Sequence, residues 1–442
     1  MTARAVAVRV LERVEEGGAY ADLALEATLA RRPLATRDAA LATELVFGTL
    51  RWQRYLDWVL APHSRRALGS LDTRVLVLLR VAAYQIVFLE RIPPFAAVDD
   101  AVTLAGTRPG VPGFVNAVLR SFVRRGGRER EPAPAADPVE ALALRCSFPT
   151  WLARRWVARF GPDEACALML ALNQRPPLTI RANTLRLSRH DLAARLAREE
   201  GRSPRLTRYA PEGLVVDHGS GPPAAWRAFV DGSCAVQDEA SMLVARLTDA
   251  QPGDTVADVC AAPGTKATHL AQLMANRGRI LAFDRDPERL ARLRESTARL
   301  GVTIVATHEG PVESLAVGHA QSCDVVLVDA PCSNLGVLRR HPEVKWRRQA
   351  TDLTASAASQ RAILRAAAHM VKPGGRLVYA TCSLEPEEND AVARDLRATQ
   401  PEFRPDPPHE FPVPLDATGT LRCYPHHHDM DGFTAVRLRR AV

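Results

Sequence analysis

The chain reads as a multidomain protein: an all-α N-terminal domain, a small α+β domain, and a C-terminal α/β domain with a doubly wound parallel sheet. Three observations predict this. Apolar residues recur at three- and four-residue spacing through residues 4–125. A stretch rich in Gly, Pro and charge, residues 126–138, then follows without apolar periodicity, as a linker would. From residue 234 onward, short β-branched runs alternate with helical stretches, the pattern of parallel strands joined by crossover helices. The expected boundaries are 1–130, 139–232 and 233–442.

In the first domain, Val6, Val10, Leu11 and Val14 share one helix face, as do Leu41, Leu45, Val46 and Leu50. Residues 73–86 are apolar nearly all round, which predicts a central buried helix. Pro93-Pro94 should end the following segment, Asp99-Asp100 should start the next helix, and residues 113–120 should form the last. Arginines cluster at Arg120, Arg124, Arg125, Arg128 and Arg130, so an RNA-binding role is expected for this domain. In the second domain, Trp151 to Leu172 reads as one amphipathic stretch. Residues 178–183 and 213–217 read as strands, and Ser188 caps a helix running through Ala197. Arg181 is a candidate RNA contact. In the third domain, strands are expected at 255–259, 279–283, 302–306, 324–328 and 375–380. Helices are expected at 266–276, 286–299 and 356–371, and an antiparallel strand at 432–438.

The net charge of +8 and pI of about 9.3 permit a nucleic-acid partner. No window approaches a membrane span, and Met1-Thr2-Ala3-Arg4 leads into an amphipathic run without a signal-peptide core. A cytoplasmic location, eight reduced cysteines and a monomer are expected. Of 58 basic residues only Lys266, Lys345 and Lys372 are lysine, and two of these fall in motifs. His426, His427 and His428, with Cys423 and Asp429, match no zinc spacing, so no metal is expected and the segment reads as a loop before the final strand.

The chemistry concentrates at strand ends. Val328-Asp329-Ala330-Pro331-Cys332-Ser333 and Tyr379-Ala380-Thr381-Cys382-Ser383 each close an apolar run. Ligands of open α/β sheets bind outside the carboxyl ends of strands, so an acid and two thiols should meet there. That set suits covalent chemistry with proton transfer. The first βα turn, Asp258-Val259-Cys260-Ala261-Ala262-Pro263-Gly264-Thr265-Lys266, lacks GxGxxG, which disfavours a dinucleotide. The second strand ends at Asp284, placed to bond ribose hydroxyls. A nucleoside without phosphates is indicated, and S-adenosylmethionine fits.

These motifs, together with His341-Pro342-Glu343-Val344-Lys345-Trp346, Pro386-Glu387-Glu388-Asn389, Gln237-Asp238-Glu239 and Asp431-Gly432-Phe433, resemble the RNA cytosine-5 methyltransferase family. The helical domain, with Gly113-Phe114-Val115-Asn116, resembles the antitermination factor NusB, a pairing similar to bacterial members acting on 16S rRNA. The resemblance implies a Rossmann-like catalytic domain and methyl transfer from S-adenosylmethionine to cytosine C5. It implies that Cys382 attacks C6, Asp329 meets the ring at N3, and Cys332 assists loss of the C5 proton and release of Cys382. It implies that Cys260, Ala261, Ala262, Pro263, Gly264, Thr265, Lys266, Asp284, Glu309 and Asp329 line the cofactor, and that Lys345 contacts substrate. The family turn usually carries Gly where Thr265 stands, and Asp where Glu309 stands. A tRNA substrate, or a non-catalytic RNA-binding or antitermination role, remains open at this point. So does the choice between naked RNA and a partly assembled small subunit.

Overall fold

The computed structural model describes residues 2–126, 137–217 and 221–442. The expected linker, with Arg128 and Arg130, lies almost wholly outside them. The chain divides into two compact units, Met1–Arg175 with Leu338–Arg348, and Pro176–Val337 with Gln349–Val442. The division falls inside the 139–232 stretch that the sequence reading grouped together.

The first unit is helical. Thr73–Phe88 is its central helix, started by the Asp72 side chain accepting from Arg74 N and buried along most of its length. It packs against Thr36–Arg51, where Gly48 is required. A Cβ there would lie 2.0 Å from the Tyr84 ring, whose hydroxyl donates to Glu44 at 2.6 Å. Two boundaries differ from expectation. Pro94 opens the helix Pro94–Leu104 rather than ending a segment, because proline at the first helical position gives up no needed N–H. Asp99 and Asp100 therefore lie inside that helix. Residues 150–172 form two helices, Thr150–Phe160 and Pro162–Leu172, because Gly161 takes φ 84° between them.

The segment Leu338–Arg348 is bound into this unit by polar contacts to carbonyls. Arg347 donates to the oxygens of Val14, Gly18 and Ala19, closing the first helix at its C-terminus. Lys345, expected to contact substrate, is buried instead. Its ammonium donates at 2.8 Å to Arg51 O and to Asn173 Oδ1, and it faces the Phe148 ring at 4.0 Å. Burial drives its pKa well below the usual lysine value. Here Lys345 ties helix ends together and offers no surface to RNA.

The second unit carries two sheets among its described residues. Strands β1 (Leu178–Ala182), β2 (Arg205–Leu206), β3 (Gly213–Val216) and β4 (Cys234–Val236) form an antiparallel sheet in the order β2-β3-β1-β4. Ser188 caps the helix Arg189–Glu200 as the sequence predicts. The larger sheet contains β5 (Thr255–Val259), β6 (Arg279–Asp284), β7 (Val305–Glu309), β8 (Cys323–Asp329), β9 (Val371–Thr381), β10 (Phe403–Pro405), β11 (Leu421–Cys423) and β12 (Phe433–Arg440). Its order is β10-β12-β9-β8-β5-β6-β7, with β11 on β12. Strands β5 to β9 pair in parallel, and β12 runs antiparallel to β9.

The chain leaves β5 toward β6 on one side and returns through β8 on the other, so β5 and β8 flank the switch point where such sheets bind ligands. Strand β7 starts three residues later than expected. The preceding helix, Pro287–Leu300, ends on left-handed Gly301, and Val302 N still bonds back to Thr297 O at 2.9 Å. The helix Ala350–Ala368 starts earlier than expected because Gln349 and Asp352 form a reciprocal cap. No helix among the described residues is long and apolar enough to cross a membrane.

Candidate active site

Register brings the two cysteines together. On the parallel pair β8 and β9, Asp329 lies opposite Ala380, and Ala330 N donates to Ala380 O at 2.9 Å. Both strands then turn outward at the same rim, leaving Cys332 Sγ and Cys382 Sγ 3.2 Å apart. Both are free thiols and half-buried, with Cys382 packed against the edge of the core. The hydrogen bond with Cys382, then burial, raises the Cys332 pKa well above an ordinary thiol.

Asp329 is met from the neighbouring strand. Lys266 Nζ, on the second residue of the helix Thr265–Leu273, lies 2.7 Å from Asp329 Oδ2. Burial opposes the lysine charge, but Asp329, with Asp258 and Cys382, offsets it and leaves its pKa raised. Lys266 is also 5.1 Å from the Phe433 ring centroid. The lysine expected to line a cofactor thus reaches across to the acid, and one charged pair joins the β5 turn to the end of β8.

Beneath it lies Asp258, fully buried, with neither carboxyl oxygen hydrogen-bonded. Burial first, then Asp329 and Asp284, push its pKa up to about 8 against partial relief from Lys266. A carboxyl whose folded pKa is raised weakens the fold as pH climbs. The penalty begins above the unfolded pKa near 4 and grows until the folded pKa is reached. Asp258→Asn is therefore expected to gain stability relative to wild type between about pH 5 and 8. Thermal unfolding across that range checks it, and a pH-independent difference would contradict it.

A cleft of about 320 Å³ opens beside the rim. Phe283, Pro311, Val312 and Ile363 give it an apolar lining, and Asp284 stands at its edge. Asp284 Oδ2 accepts from Ala262 N and Oδ1 from Asp286 N, both at 3.1 Å, which fixes the carboxylate and leaves each oxygen a lone pair. An apolar slot for a base with a positioned carboxylate for ribose fits a nucleoside. Cys260 lines this cleft directly, and Ala261 and Ala262 are buried behind it.

Glu309 is a correction. It is exposed at the end of β7 and outside the cleft wall, which is formed there by Gly310, Pro311, Val312 and Glu313. Arg289, which the sequence did not single out, lines the cleft, donates to Ala262 O and lies 3.8 Å from Asp284. Only its position one helical turn past the second strand pointed to it.

Arg181 is the second correction. It is fully buried in β1, where it bonds Gln237, Thr265 O at 2.9 Å and Thr268 Oγ1 at 3.0 Å. Burial lowers its pKa to about 9. Instead of facing RNA, it braces the start of the helix that carries Lys266.

The Pro386-Glu387-Glu388-Asn389 motif holds both cysteine loops. The buried Glu388 carboxylate accepts from Ser333 N at 2.8 Å, from the Ser333 and Ser383 hydroxyls, and from Gln360 Nε2 at 3.1 Å. Asn389 donates to Ser383 O and Glu385 O and accepts from Thr381 Oγ1. The serines that follow each cysteine are thus clamped to one carboxylate.

Comparison with known proteins agrees with this geometry. The family model for 16S rRNA methyltransferase RsmB/F matches residues 245–439, the NusB family matches 1–124, and an RsmF/B-like ferredoxin-like domain matches 148–221. The probable ribosomal RNA small subunit methyltransferase B of Bacillus subtilis is 35% identical, over 99% of this chain and 98% of that protein. The ribosomal RNA small subunit methyltransferase B of Pseudomonas putida is 36% identical, over 91% of each. The solved structure of NSun6 from Pyrococcus horikoshii with SFG is 27% identical with a TM-score of 0.60, covering 67% of this chain and 99% of that one. With a NusB-like helical domain, a ferredoxin-like domain and a Rossmann-like catalytic sheet in one chain, this protein belongs to the RsmB/F family of 16S rRNA methyltransferases.

Proposed function

We propose that the protein methylates C5 of a cytosine in 16S rRNA through a covalent bond between Cys382 and C6. The observation that carries this is the Cys332–Cys382 pair, 3.2 Å apart, beside the Lys266–Asp329 pair at one rim. C5 of cytosine is a weak nucleophile, and a covalent route divides one difficult step into two easier ones. Cys382 adds to C6 as its thiolate, and Asp329, carrying a proton, donates a hydrogen bond to N3 as charge develops there, with the Lys266 ammonium behind it. S-adenosylmethionine, held by the 260–266 turn and Asp284, supplies the methyl group that C5 takes.

Cys332 then acts. While Cys382 is free, their hydrogen bond keeps Cys332 protonated. Once Cys382 is bonded to carbon that hydrogen bond is lost, and the Cys332 proton passes to solvent water, leaving a thiolate. Cys332 can then accept the C5 proton as the Cys382–C6 bond breaks and the aromatic ring is restored.

We place RNA binding in residues 1–130 and 139–232 and catalysis in 233–442. The exposed Arg120, Arg124 and Arg125 at the end of the helix Val111–Arg124 support the first assignment. Methyl transfer from tritiated cofactor to 16S rRNA, 23S rRNA and tRNA, followed by nucleoside analysis, tests the proposal. Label in 5-methylcytidine from 16S rRNA alone is expected. Label in tRNA, or in another nucleoside, would overturn it. Asp284→Ala is expected to weaken cofactor binding about tenfold or more, since a charged hydrogen bond is worth about 1.5–3 kcal/mol. Calorimetry showing unchanged affinity would remove Asp284 from the site.

A further inference from the structure

Both thiols of the rim converge on a single amide. Cys382 Sγ donates to Asn334 Oδ1 at 3.1 Å, and Cys332 Sγ lies 3.5 Å from the same oxygen. Asn334 is placed for this by its backbone. It takes φ 64°, a left-handed conformation that Asn adopts more readily than most side chains.

The turn it belongs to is locked. Val337 N bonds back to Asn334 O at 3.2 Å, Gly336 N donates to Cys382 O at 2.8 Å, and Gly432 N donates to Gly336 O at 2.9 Å. No side chain fits at Gly336: a Cβ there would stand 2.2 Å from Gly432 O and 2.7 Å from Cys382 O. A strained residue fixed from several sides, with its polar tip on two sulfurs, is held for what that tip does.

We propose that Asn334 is a further catalytic residue, whose amide contacts the Cys382 sulfur in both protonation states. Oδ1 accepts from the thiol. After a half-turn about Cβ–Cγ, Nδ2–H donates to the thiolate. An amide is suited to this because it carries an acceptor and a donor on one planar group, whereas an ionised carboxylate of the same reach offers acceptors only. The half-turn lets the ionised sulfur keep a partner without moving along the direction of attack. This inference rests on the reading of Cys382 as the nucleophile.

The test reads the sulfur without RNA. Iodoacetamide alkylation of Cys382 is followed by peptide mass spectrometry across a pH series, on the full-length protein. Asn334→Asp keeps the shape but sets a negative charge beside the thiolate, so the alkylation midpoint is expected to rise by about 1–3 pH units. Asn334→Gly deletes the amide without straining the backbone, and its midpoint should rise by less. Calorimetric cofactor affinity equal to wild type shows that each variant is folded. If Asn334→Asp fails that control, Asn334→Gly decides alone. Midpoints unchanged in the folded variants, or a midpoint lowered in Asn334→Gly, would overturn the proposal. A shifted midpoint in an enzyme that makes no 5-methylcytidine would uphold the amide contact and refute the proposed reaction. Unshifted midpoints in an enzyme that does make it would do the reverse.

Discussion

Cys382→Ala is expected to lose methyl transfer by roughly 10⁴–10⁶-fold, the scale on which removal of a nucleophile acts, while cofactor affinity stays within about twofold. The split follows from the sheet. Cys382 leaves β9 on the far side of Asp329 from the cleft that Asp284 and Phe283 border, and it is absent from the cleft wall. Removing a half-buried thiol at a rim also leaves the core intact, so unfolding temperature should change little. If Cys382 were only a small packing residue, activity would persist and stability would fall modestly. Single-turnover methyl transfer with a calorimetric control separates these outcomes, and residual activity above about one per cent of wild type would count against a nucleophilic role.

Glu388→Ala is expected to be the most damaging change outside the reacting groups, costing about 3–5 kcal/mol of stability. Its carboxylate receives Ser333 N, two serine hydroxyls and Gln360 Nε2 with no water-exposed edge. Deleting it takes a partner from each of these buried donors, leaving the two serine hydroxyls, 3.1 Å apart, to each other and Gln360 Nε2 to Pro331 O, and the penalty of an under-satisfied buried polar group exceeds the worth of the bond it made. Because Ser333 follows Cys332 and Ser383 follows Cys382, both cysteine loops lose their common anchor. Activity should fall with stability, even where the variant remains folded. Glu388→Gln keeps the volume and one acceptor, so it should lose about 1–3 kcal/mol. Denaturant unfolding measures both, and a loss below about 0.5 kcal/mol for Glu388→Ala would show that the clamp is not needed.

Much of this was legible in the sequence because it is local. Strands β5, β6 and β8 declare themselves as short apolar runs closed by Asp or a turn, and their ends carry Cys260, Asp284 and Asp329. Two strands each followed by a cysteine are enough to predict a shared rim, once parallel pairing is accepted.

What failed was long-range. Arg181 looks like a surface arginine within its own strand, and only the arrival of Gln237, Thr265 and Thr268 buries it. Lys345 sits in a family motif, yet its partners, Arg51 and Asn173, lie far away in sequence. Glu309 was chosen by its position at a strand end, but the cleft is walled by the turn after it. Asn334 gave no signal at all. Its importance comes from a positive φ and two sulfurs, one of them 48 residues away.

The covalent mechanism stands or falls on trapping its intermediate. Cys332→Ala leaves Cys382 free to attack and C5 free to accept the methyl group, but removes the group assigned to release. Incubated with cofactor and 16S rRNA, that variant should accumulate a protein–RNA adduct that survives a denaturing gel and disappears on RNase digestion. Cys382→Ala should form none, because an early block empties the intermediate that a late block fills. An adduct in Cys382→Ala but not in Cys332→Ala would reverse the two roles, and no adduct in either, with both variants still active, would contradict the covalent mechanism.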